Sequence, residues 1–262
     1  MIIISEKLNS SIPSVKKVFD SGDKAALEAL IKEQYDYGAR MFDINTAVCA
    51  SELEKGKEAA DAVMSYGDCG IVIDSPSEEI VEKMLEYING RTDVIINSVS
   101  VSERLGNIDL AVKYSTGIIV MLTDENGIPD SAEKRFENAC RMIGLLNSKG
   151  ISNDRIYIDP IVETVAVNDR AATVTLDTIA LVRKRFSDVH ITCGASNVSF
   201  GLPRRAFINN AFMAIAIYLG MDAPICSITA PWMDGTIRAS EMLAGHDEFC
   251  MNYIEKVTEA YD

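Results

Sequence analysis

The chain has 262 residues, 48% of them hydrophobic and 24% charged, with a formal net charge of −14. This size and balance are typical of one globular domain with a substantial core. The acidic excess argues against nucleic acid or an anionic membrane as a partner, because phosphate binding needs clustered Lys and Arg. No apolar run approaches the ~20 residues of a membrane-spanning helix.

Cysteine and histidine usage argues against a disulfide scaffold and against a zinc site. The six cysteines are spread along the chain without a CxxC pair, and the two histidines are His190 and His246. Such cysteines are typical of reduced, buried side chains. The first residues, MIIISEKLN, lack the basic segment and cleavage site of a signal peptide. We therefore expect a cytoplasmic protein without a bound metal.

Short apolar runs recur along the chain, each followed by a polar residue and then an amphipathic stretch. The runs are Ile2–Ile4, Met41–Ile44, Ile71–Ile73, Val94–Ile96, Gly117–Leu122, Ile156–Ile158, Val189–Cys193 and Pro224–Ile228. Runs of this length between turn residues are typical of buried parallel strands. Their alternation with helical patterns predicts a series of βαβ units.

Start and stop signals predict helices between these runs. In Ser75-Pro76-Ser77-Glu78, Ser75 is the expected N-cap and Glu78 the partner that completes a capping box. Ser51 and Glu54 predict a second capping box. The glycines expected just after helix ends are Gly38, Gly150 and Gly220. The apolar stripes expected to face the core are Phe136, Ala139, Cys140 and Ile143, and Ile208, Ala211, Phe212 and Ile215.

The number of predicted strands favours a (β/α)8 TIM barrel. Eight apolar runs, each with a helical stretch after it, fit a closed barrel better than an open sheet. The G-x-G-x-x-G turn of a dinucleotide-binding fold does not follow the first run. We expect residues 1–262 to form a single barrel domain.

Polar side chains stand at the ends of most predicted strands. They are Glu6, Asn9, Asp43, Asn45, Asp74, Asn97, Asp159, Ser196 and Asn197. In a barrel they would gather on the C-terminal rim, where active sites of this fold lie. Acids and amides without Lys suit a neutral heterocycle with several N–H donors. A pterin is such a ring, because one carboxylate can accept from both its 2-amino group and its ring N–H.

Other interpretations compete for the same residues. Two or three carboxylates can also bind a metal ion. A single Asp or Asn after a strand is commonly a turn former or a helix cap. Asp74, beside Ser75, and Asp159, before Pro160, are most open to that bland role. The constellation is more specific than its members, because turn formers need not be acids or amides on so many strands.

At these positions the sequence resembles a known family, the pterin-binding corrinoid methyltransferases. Residues 194–203, GASNVSFGLP, are similar to the family's G-x-SNVSFGLP signature. Shorter matches follow in the expected order along nearly the whole chain. They are Glu6-Lys7-Leu8-Asn9, Phe42-Asp43-Ile44-Asn45, Ile73-Asp74-Ser75, Ile96-Asn97-Ser98 and Tyr157-Ile158-Asp159-Pro160. The family includes the folate domain of cobalamin-dependent methionine synthase.

The resemblance implies a role for each site residue. Asp74, Asn97 and Asp159 would hold the pterin edge, and Asn197 would face N5 as the catalytic residue. The other residues that the resemblance places at the folate are Ser196, Asn9, Asp43 and Asn45. The residues that it places near the corrinoid are Ser199, Phe200 and Arg205. Two positions depart from well-known members: Lys7 stands where Arg is common, and Phe200 stands where one branch carries Gln.

The function implied by the resemblance is methyl transfer between N5 of tetrahydrofolate and the cobalt of a corrinoid. Tetrahydrofolate or 5-methyltetrahydrofolate would be the substrate, and a separate corrinoid protein would supply the corrinoid. Such a displacement needs no protein nucleophile, which agrees with the lack of a Ser–His or Cys–His arrangement. Family members are commonly homodimers. The direction of transfer stays open.

Other functions would leave different sequence signatures. A dihydropteroate synthase should carry a D-x-G-G-x-S-x-R-P loop, but residues 43–49 read DINTAVC. A zinc methyltransferase needs His and Cys ligands on the rim. A non-catalytic folate-binding protein would keep the pterin-edge residues and tolerate loss of Asn197. Trp232 could flank the bowl or a partner's corrinoid, or it could pack on the last helix. The apolar helix 204–219 could face a second copy or the barrel.

Overall fold

The computed structural model describes the backbone of residues 1–261 and the side chains of residues 1–256. Its parallel strands are β1 (Ile4–Ser5), β2 (Met41–Ile44), β3 (Gly70–Asp74), β4 (Val94–Val99), β5 (Gly117–Met121), β6 (Ile156–Asp159), β7 (His190–Ile191) and β8 (Ile225–Cys226). Each strand falls on one of the predicted apolar runs.

The strands follow one another around a closed barrel. Their order in the sheet is β7-β6-β5-β4-β3-β2-β1-β8, with every pair parallel. Backbone hydrogen bonds join the two ends of this order: the Ala223 N–H donates to Ile191 O at 3.0 Å and the Ile225 N–H to Cys193 O at 3.0 Å. A parallel bridge between Gly194 and Ile225 continues this contact. The predicted (β/α)8 barrel is therefore confirmed.

Helices surround the barrel. They are α1 (Pro13–Ser21), α2 (Lys24–Asp36), α3 (Glu52–Met64), α4 (Glu78–Ile88), α5 (Gly106–Tyr114), α6 (Ala132–Ser148), α7 (Ala171–Arg185), α8 (Arg205–Tyr218), α9 (Met233–Leu243) and α10 (Met251–Tyr261). Among the described residues, no helix is both long enough and apolar enough to span a bilayer.

The helix signals were right in position and partly wrong in chemistry. Helix α4 is capped by Ser77, whose side chain accepts from the Ile80 N–H, and not by Ser75 as predicted. The Ser75 hydroxyl instead donates to Glu52 Oε1 at 2.6 Å. Ser51 occupies the N-cap of α3 but makes no capping hydrogen bond. The three predicted stop glycines do adopt left-handed backbone angles just after α2, α6 and α8.

The predicted buried face of α8 is wrong by about one residue. The residues that the helix buries are Phe212, Met213, Ala216 and Ile217, whereas Ala211 and Ile215 face solvent. Apolar residues lie all around α8, so their spacing could not select the face. On α6, Ala139 and Ile143 are buried as predicted.

The barrel interior is filled by a compact apolar cluster. Strands β1 to β6 and β8 each contribute one inward-pointing side chain, and Ala223 completes the cluster. The strand members are Ile4, Met41, Val72, Ile95, Ile119, Tyr157 and Ile225. Side chains of opposite strands can meet in this way only inside a closed sheet. A larger cluster fills the space between strands and helices. The interior cluster fixes which strand residues point inward.

Candidate functional site

The polar residues at the strand ends form a layer just above the interior cluster. Successive strand residues point to opposite faces, so the residue two positions after an interior side chain also points inward. That position holds Glu6, Asp43, Asp74, Asn97 and Asp159. Their shared level makes them the floor and wall of a polar bowl at the C-terminal end of the barrel, which we call the mouth.

Asp43 lies at the bottom of the mouth and is only 4% exposed. Its Oδ1 accepts a hydrogen bond of 3.4 Å from Asn97 Nδ2. Burial raises the pKa of Asp43 well above its ordinary value, and the carboxylates of Asp74 and Glu6 raise it further. Asp43 therefore favours its protonated form more than an exposed aspartate does.

Asp74 is oriented by a neighbouring amide. Asn45 Nδ2 donates to Asp74 Oδ2 at 2.7 Å, and the same Asn45 accepts from the Ala47 N–H through its Oδ1. Burial raises the pKa of Asp74, while the Asn45 bond and the Arg104 guanidinium offset part of that rise. Asp74 is not the cap of the following helix, which is Ser77, so the alternative role as a helix cap is excluded. Asn45 orients Asp74 with one N–H of its amide, and its second N–H is left to meet a ligand.

Asp159 serves its own turn with one oxygen. Its Oδ1 accepts from the Ile161 N–H at 2.8 Å, the local role expected of an aspartate after a strand. Its Oδ2 accepts no hydrogen bond within the described side chains, and it faces the mouth. Burial raises the pKa of Asp159 to about 6, against the lowering effects of the Ile161 N–H and of Arg135. One oxygen of Asp159 therefore stabilises the turn, and the other is left to meet a ligand.

The loop after β7 closes one side of the mouth. Ser196 donates to Glu6 Oε2 at 3.2 Å, which ties the loop to β1. Burial raises the pKa of Glu6, and the hydrogen bond from Ser196 offsets part of this increase. Asn197 is exposed, and its Nδ2 lies 3.1 Å from the position that a Cβ on Gly194 would take. The Asn197 amide therefore rests directly on a glycine at the edge of the mouth.

Asn9 has a more local role. Its backbone bridges to Asn45, and its side-chain Oδ1 accepts from the Ser11 N–H at 2.8 Å. The structure brings Asn9 to the rim beside β2, but its oxygen stabilises the turn after β1. The Asn9 amide nitrogen is the part left to meet a ligand.

The three residues expected near a corrinoid divide between interior and surface. Ser199 is fully buried, where its Oγ accepts from Arg205 Nε at 2.9 Å and donates to Asn209 Oδ1 at 2.6 Å. Phe200 is 67% exposed, and the Arg205 guanidinium lies 5.7 Å from its ring centre. Ser199 therefore supports the loop from below, and only Phe200 and Arg205 reach the surface.

Two arginines at the mouth were missed by the sequence analysis. Arg104 follows β4, donates to Ser98 Oγ at 2.9 Å and lowers the pKa of Asp74. Arg135, on α6, is 1% exposed and donates to the carbonyls of Pro160 and Ile161, so it holds the loop that follows Asp159. A charge at a buried position of α6 was the available signal for Arg135. The loop path that brings Arg104 inward left no sequence signal.

The described side chains include no group of three or more His, Cys, Asp or Glu arranged to hold a metal ion. Cys193 and Cys226 are buried below the mouth. Burial raises the pKa of both thiols, which disfavours the thiolate that a metal site requires. Both cysteines therefore serve as packing residues.

A cavity of about 950 Å3 lies at the opposite, N-terminal end of the barrel and contains none of the site residues. Its walls carry arginines whose N–H groups donate to backbone carbonyls: Arg155 to Thr116, and Arg91 to Ile88. These side chains tie strands and loops together. The chemistry of a ligand site lies at the mouth, where acids and amides converge.

A closed barrel whose mouth gathers half-buried carboxylates and amides is typical of an enzyme with a ligand site at the C-terminal ends of its strands. The family model described as pterin binding enzyme matches residues 10–227. The chain belongs to the family of pterin-binding enzymes.

Two relatives narrow the comparison. The chain is 32% identical over 258 residues to methylcorrinoid:tetrahydrofolate methyltransferase of Eubacterium limosum, covering 97% of this chain and 94% of that protein. It is 26% identical over 251 residues to methionine synthase of Mycobacterium tuberculosis, covering 86% of this chain and 20% of that protein. The predictions of a pterin-binding enzyme and of the methyltransferase class are confirmed.

Solved structures agree on the fold. Dihydropteroate synthase of Coxiella burnetii, in complex with pteroic acid, has a TM-score of 0.69 and 18% identity, with 94% of this chain and 93% of that chain covered. The Yersinia pestis enzyme with a pterine-sulfa conjugate has a TM-score of 0.69 and 15% identity, with 93% of each chain covered. At these identities the likeness extends to the barrel and no further.

Proposed function

We propose that this chain transfers a methyl group between N5 of tetrahydrofolate and the cobalt of a corrinoid carried by a separate protein. The pterin would lie in the mouth, with Asp74, Asn97 and Asp159 along its edge. Asn197 would face N5. The likeness to methylcorrinoid:tetrahydrofolate methyltransferase over nearly the whole chain supports this choice of substrates.

The chemistry of the mouth supports a pterin. The unpaired oxygen of Asp159 can accept from a 2-amino group or from the adjacent ring N–H. Asn97 has donated one N–H to Asp43, so its carbonyl oxygen remains to accept from the ring. Asp74 is held by Asn45 with one oxygen left over. These are acceptors in a half-buried setting, which matches the donor-rich edge of a reduced pterin.

The reaction places few demands on the protein's own groups. The methyl carbon leaves one atom, N5 or cobalt, as it bonds to the other, so neither end needs a covalent protein intermediate. When the methyl leaves N5, that nitrogen must gain a proton by the time the bond breaks. When the methyl arrives, N5 must be unprotonated. An amide such as Asn197 can hydrogen-bond N5 in both states without titrating, and the protein contributes orientation and local charge.

One observation carries the proposal. A set of acceptors inside the mouth stands beside an exposed amide, Asn197, on a loop at its edge. The interior acceptors would fix the pterin plane. The amide would then lie where a second substrate can approach from solvent, as methyl transfer between two large molecules requires.

Neither rival gains support from the mouth. The dihydropteroate synthases share the fold, but the loop after β2 here lacks the glycines and the Arg that a pyrophosphate substrate needs. A folate-binding protein without catalysis would not depend on Asn197. Both rivals are separated from methyl transfer by the variants below.

The test uses two variants and two measurements. Asn197→Ala should lower methyl transfer far more than it lowers folate affinity, because the pterin edge is held elsewhere. Asp159→Ala should lower both. Calorimetry with methyltetrahydrofolate reports affinity, and the corrinoid absorbance spectrum reports methylation of cobalt. Asp124→Ala, at an exposed turn of the rim, serves as the control and should change neither.

The outcomes separate the parts of the proposal. A dissociation constant for folate above the millimolar range would contradict the whole proposal. Equal loss of affinity and turnover in the Asn197 variant would defeat only the role assigned to that residue. Unchanged turnover in the same variant would likewise remove Asn197 from the reaction.

We also propose that the chain forms a homodimer through the exposed stripe of α8. Ala211, Ile215 and Tyr218 lie on one side of the helix, and Ile215 is 48% and Tyr218 73% exposed. A stripe of this kind is typical of an interface. Ile215→Asp should shift the mass measured by sedimentation to that of a monomer. Val112→Asp, at a 42% exposed position of α5, should not.

The setting of the reaction is the last part of this proposal. The six cysteines are all free thiols, as expected in a reducing compartment. We therefore place the chain, its folate and the corrinoid protein in the cytoplasm.

A further inference from the structure

Two exposed aromatic rings stack on each other at the C-terminal end of the barrel. Phe207 and Trp232 have ring centres 5.8 Å apart and planes inclined by 17°. Each side chain is 58% exposed. Trp232 is the single tryptophan of the chain. Large aromatic side chains rarely stay this open without a partner, because their burial is worth several times that of a small side chain.

The stacked pair is continuous with the mouth. Phe207 lies in the first turn of α8, two residues after Arg205, whose guanidinium donates to Ser196 O at 2.6 Å. Ser196 in turn bonds Glu6 inside the mouth. Trp232 precedes α9, directly after β8. The pair therefore stands on the same side of the mouth as Asn197.

The local backbone holds the pair open. Asn210 Nδ2 donates to Pro231 O at 3.1 Å, and Asn210 Oδ1 accepts from the Thr236 hydroxyl at 2.5 Å, so the first turns of α8 and α9 are tied together. Trp232 has a left-handed φ of 63°, a conformation that is strained for a bulky residue. Such strain persists where the surroundings impose it, and it concentrates at functional sites.

We propose that Phe207 and Trp232 form a docking platform for the corrinoid, against which the edge of the macrocycle packs as its cobalt comes to the mouth. This inference rests on the proposed function and names the surface that receives the second substrate. A corrinoid edge carries methyl groups and amide side chains. Aromatic faces suit the former, and Arg204, exposed beside the pair, can donate to the carbonyls of the latter.

The occupant is argued from position and chemistry. The platform adjoins the mouth, at the end of the same α8 face whose later residues, Ala211, Ile215 and Tyr218, are proposed for the dimer. Arg204 and Arg205 lie together at this corner of a chain with net charge −14. The Arg205 guanidinium is bonded to Ser196 and Ser199, and Arg204 is exposed. An amide-rich corrinoid edge would use the aromatic faces and the N–H donors of Arg204 at once.

The test measures the binding of free methylcobalamin to the chain with tetrahydrofolate bound. Trp232→Ala and Phe207→Ala should each weaken methylcobalamin binding, measured by equilibrium dialysis, by about tenfold, a typical loss for an interface aromatic. In the methyl-transfer assay the KM for methylcobalamin should rise in proportion while kcat and folate affinity stay unchanged. Leu243→Ala, 76% exposed at the far end of α9, is the matched control.

Each outcome bears on one claim. Methylcobalamin binding that is equal in Trp232→Ala and Leu243→Ala, or too weak to detect in the wild-type chain, overturns the platform. A fall in dimer mass with unchanged methylcobalamin binding would assign the pair to a second copy instead. Loss of folate affinity in Trp232→Ala would show a structural role. Wild-type binding of methylcobalamin without any methyl transfer would defeat the proposed function and leave the platform standing.

Discussion

Replacing Asp159 by Asn separates what the mouth contributes to binding from what it costs in stability. The carboxyl is buried, and burial raises its pKa to about 6 from an ordinary 3.8. Asn keeps the oxygen that accepts from the Ile161 N–H, so the local turn should survive. It replaces the carboxylate oxygen that faces the mouth with an N–H donor. We therefore expect a more stable protein that binds folate poorly.

The magnitude follows from the pKa. Between pH 3.8 and 6 the folded chain keeps a proton on Asp159 that the unfolded chain has lost, so stability falls as pH rises through this window. Above pH 6 the fold is destabilised by at most about 3 kcal/mol, because one pKa unit corresponds to about 1.36 kcal/mol. At pH 5 the loss is roughly half as large. Asn carries no such penalty at any pH.

The assay is urea unfolding of the folate-free chain at pH 5 and pH 7.5. Asp159→Asn should be more stable than wild type by up to about 3 kcal/mol at pH 7.5 and by roughly half of that at pH 5. Folate affinity should fall by at least about tenfold, since a charge-assisted hydrogen bond becomes a neutral one. Asp124→Asn gives a control of opposite sign, because the Asn126 N–H holds the pKa of Asp124 below its ordinary value.

A stability difference between Asp159→Asn and wild type that does not change with pH would show that burial does not raise the pKa of Asp159. A variant less stable than wild type at pH 7.5 would show that the carboxylate stabilises the fold. Retained folate affinity in the variant would remove Asp159 from the pterin edge.

Two further predictions follow from the packing at the mouth. Gly194→Ala keeps an accessible backbone at φ −72° but places a Cβ 3.1 Å from Asn197 Nδ2. The amide must retreat by a few tenths of an ångström, so turnover should fall by up to about tenfold with folate affinity kept; Gly144→Ala, with open space around it, is the control. Arg135→Met should cost about 3 kcal/mol in urea unfolding, because the carbonyls of Pro129 and Pro160 lose their donor. Unchanged stability there would mean that water replaces the guanidinium.

The barrel could be predicted because its strands are buried on both faces. Continuous apolar runs such as Ile71–Ile73 and Ile156–Ile158 identify such strands without knowledge of their partners. Details that depend on competition between neighbours could not be predicted. Ser75 and Ser77 are equally good caps by type, and only the folded chain shows that Glu52 takes the hydroxyl of the first. The buried face of α8 was hidden because apolar residues surround the helix.

The residues of the mouth that lie on strands could be predicted from the sequence. Asp43, Asp74, Asn97 and Asp159 lie at strand ends, where the chain's alternation fixes their direction. Their individual roles depend on partners that sequence does not show. Asn45, for example, orients Asp74 with one N–H and holds the Ala47 N–H with its oxygen, contacts that its sequence position does not reveal.

Residues outside the strands were the least predictable. Arg104 lies in a loop whose path brings it back over Asp74, and loops carry no periodicity that reveals their course. The Phe207–Trp232 stack joins the first turn of α8 to the residue that precedes α9. Contacts of this kind are set by the closed barrel and follow from no local pattern.

The most direct test of the central claim follows a labelled methyl group. The wild-type chain, given tetrahydrofolate and methylcobalamin carrying a ¹³C-labelled methyl group, should produce methyltetrahydrofolate with the label on N5. Asn197→Ala should bind tetrahydrofolate but form little of this product. If tetrahydrofolate binds but the label stays on cobalt, methyl transfer is not the function of this protein.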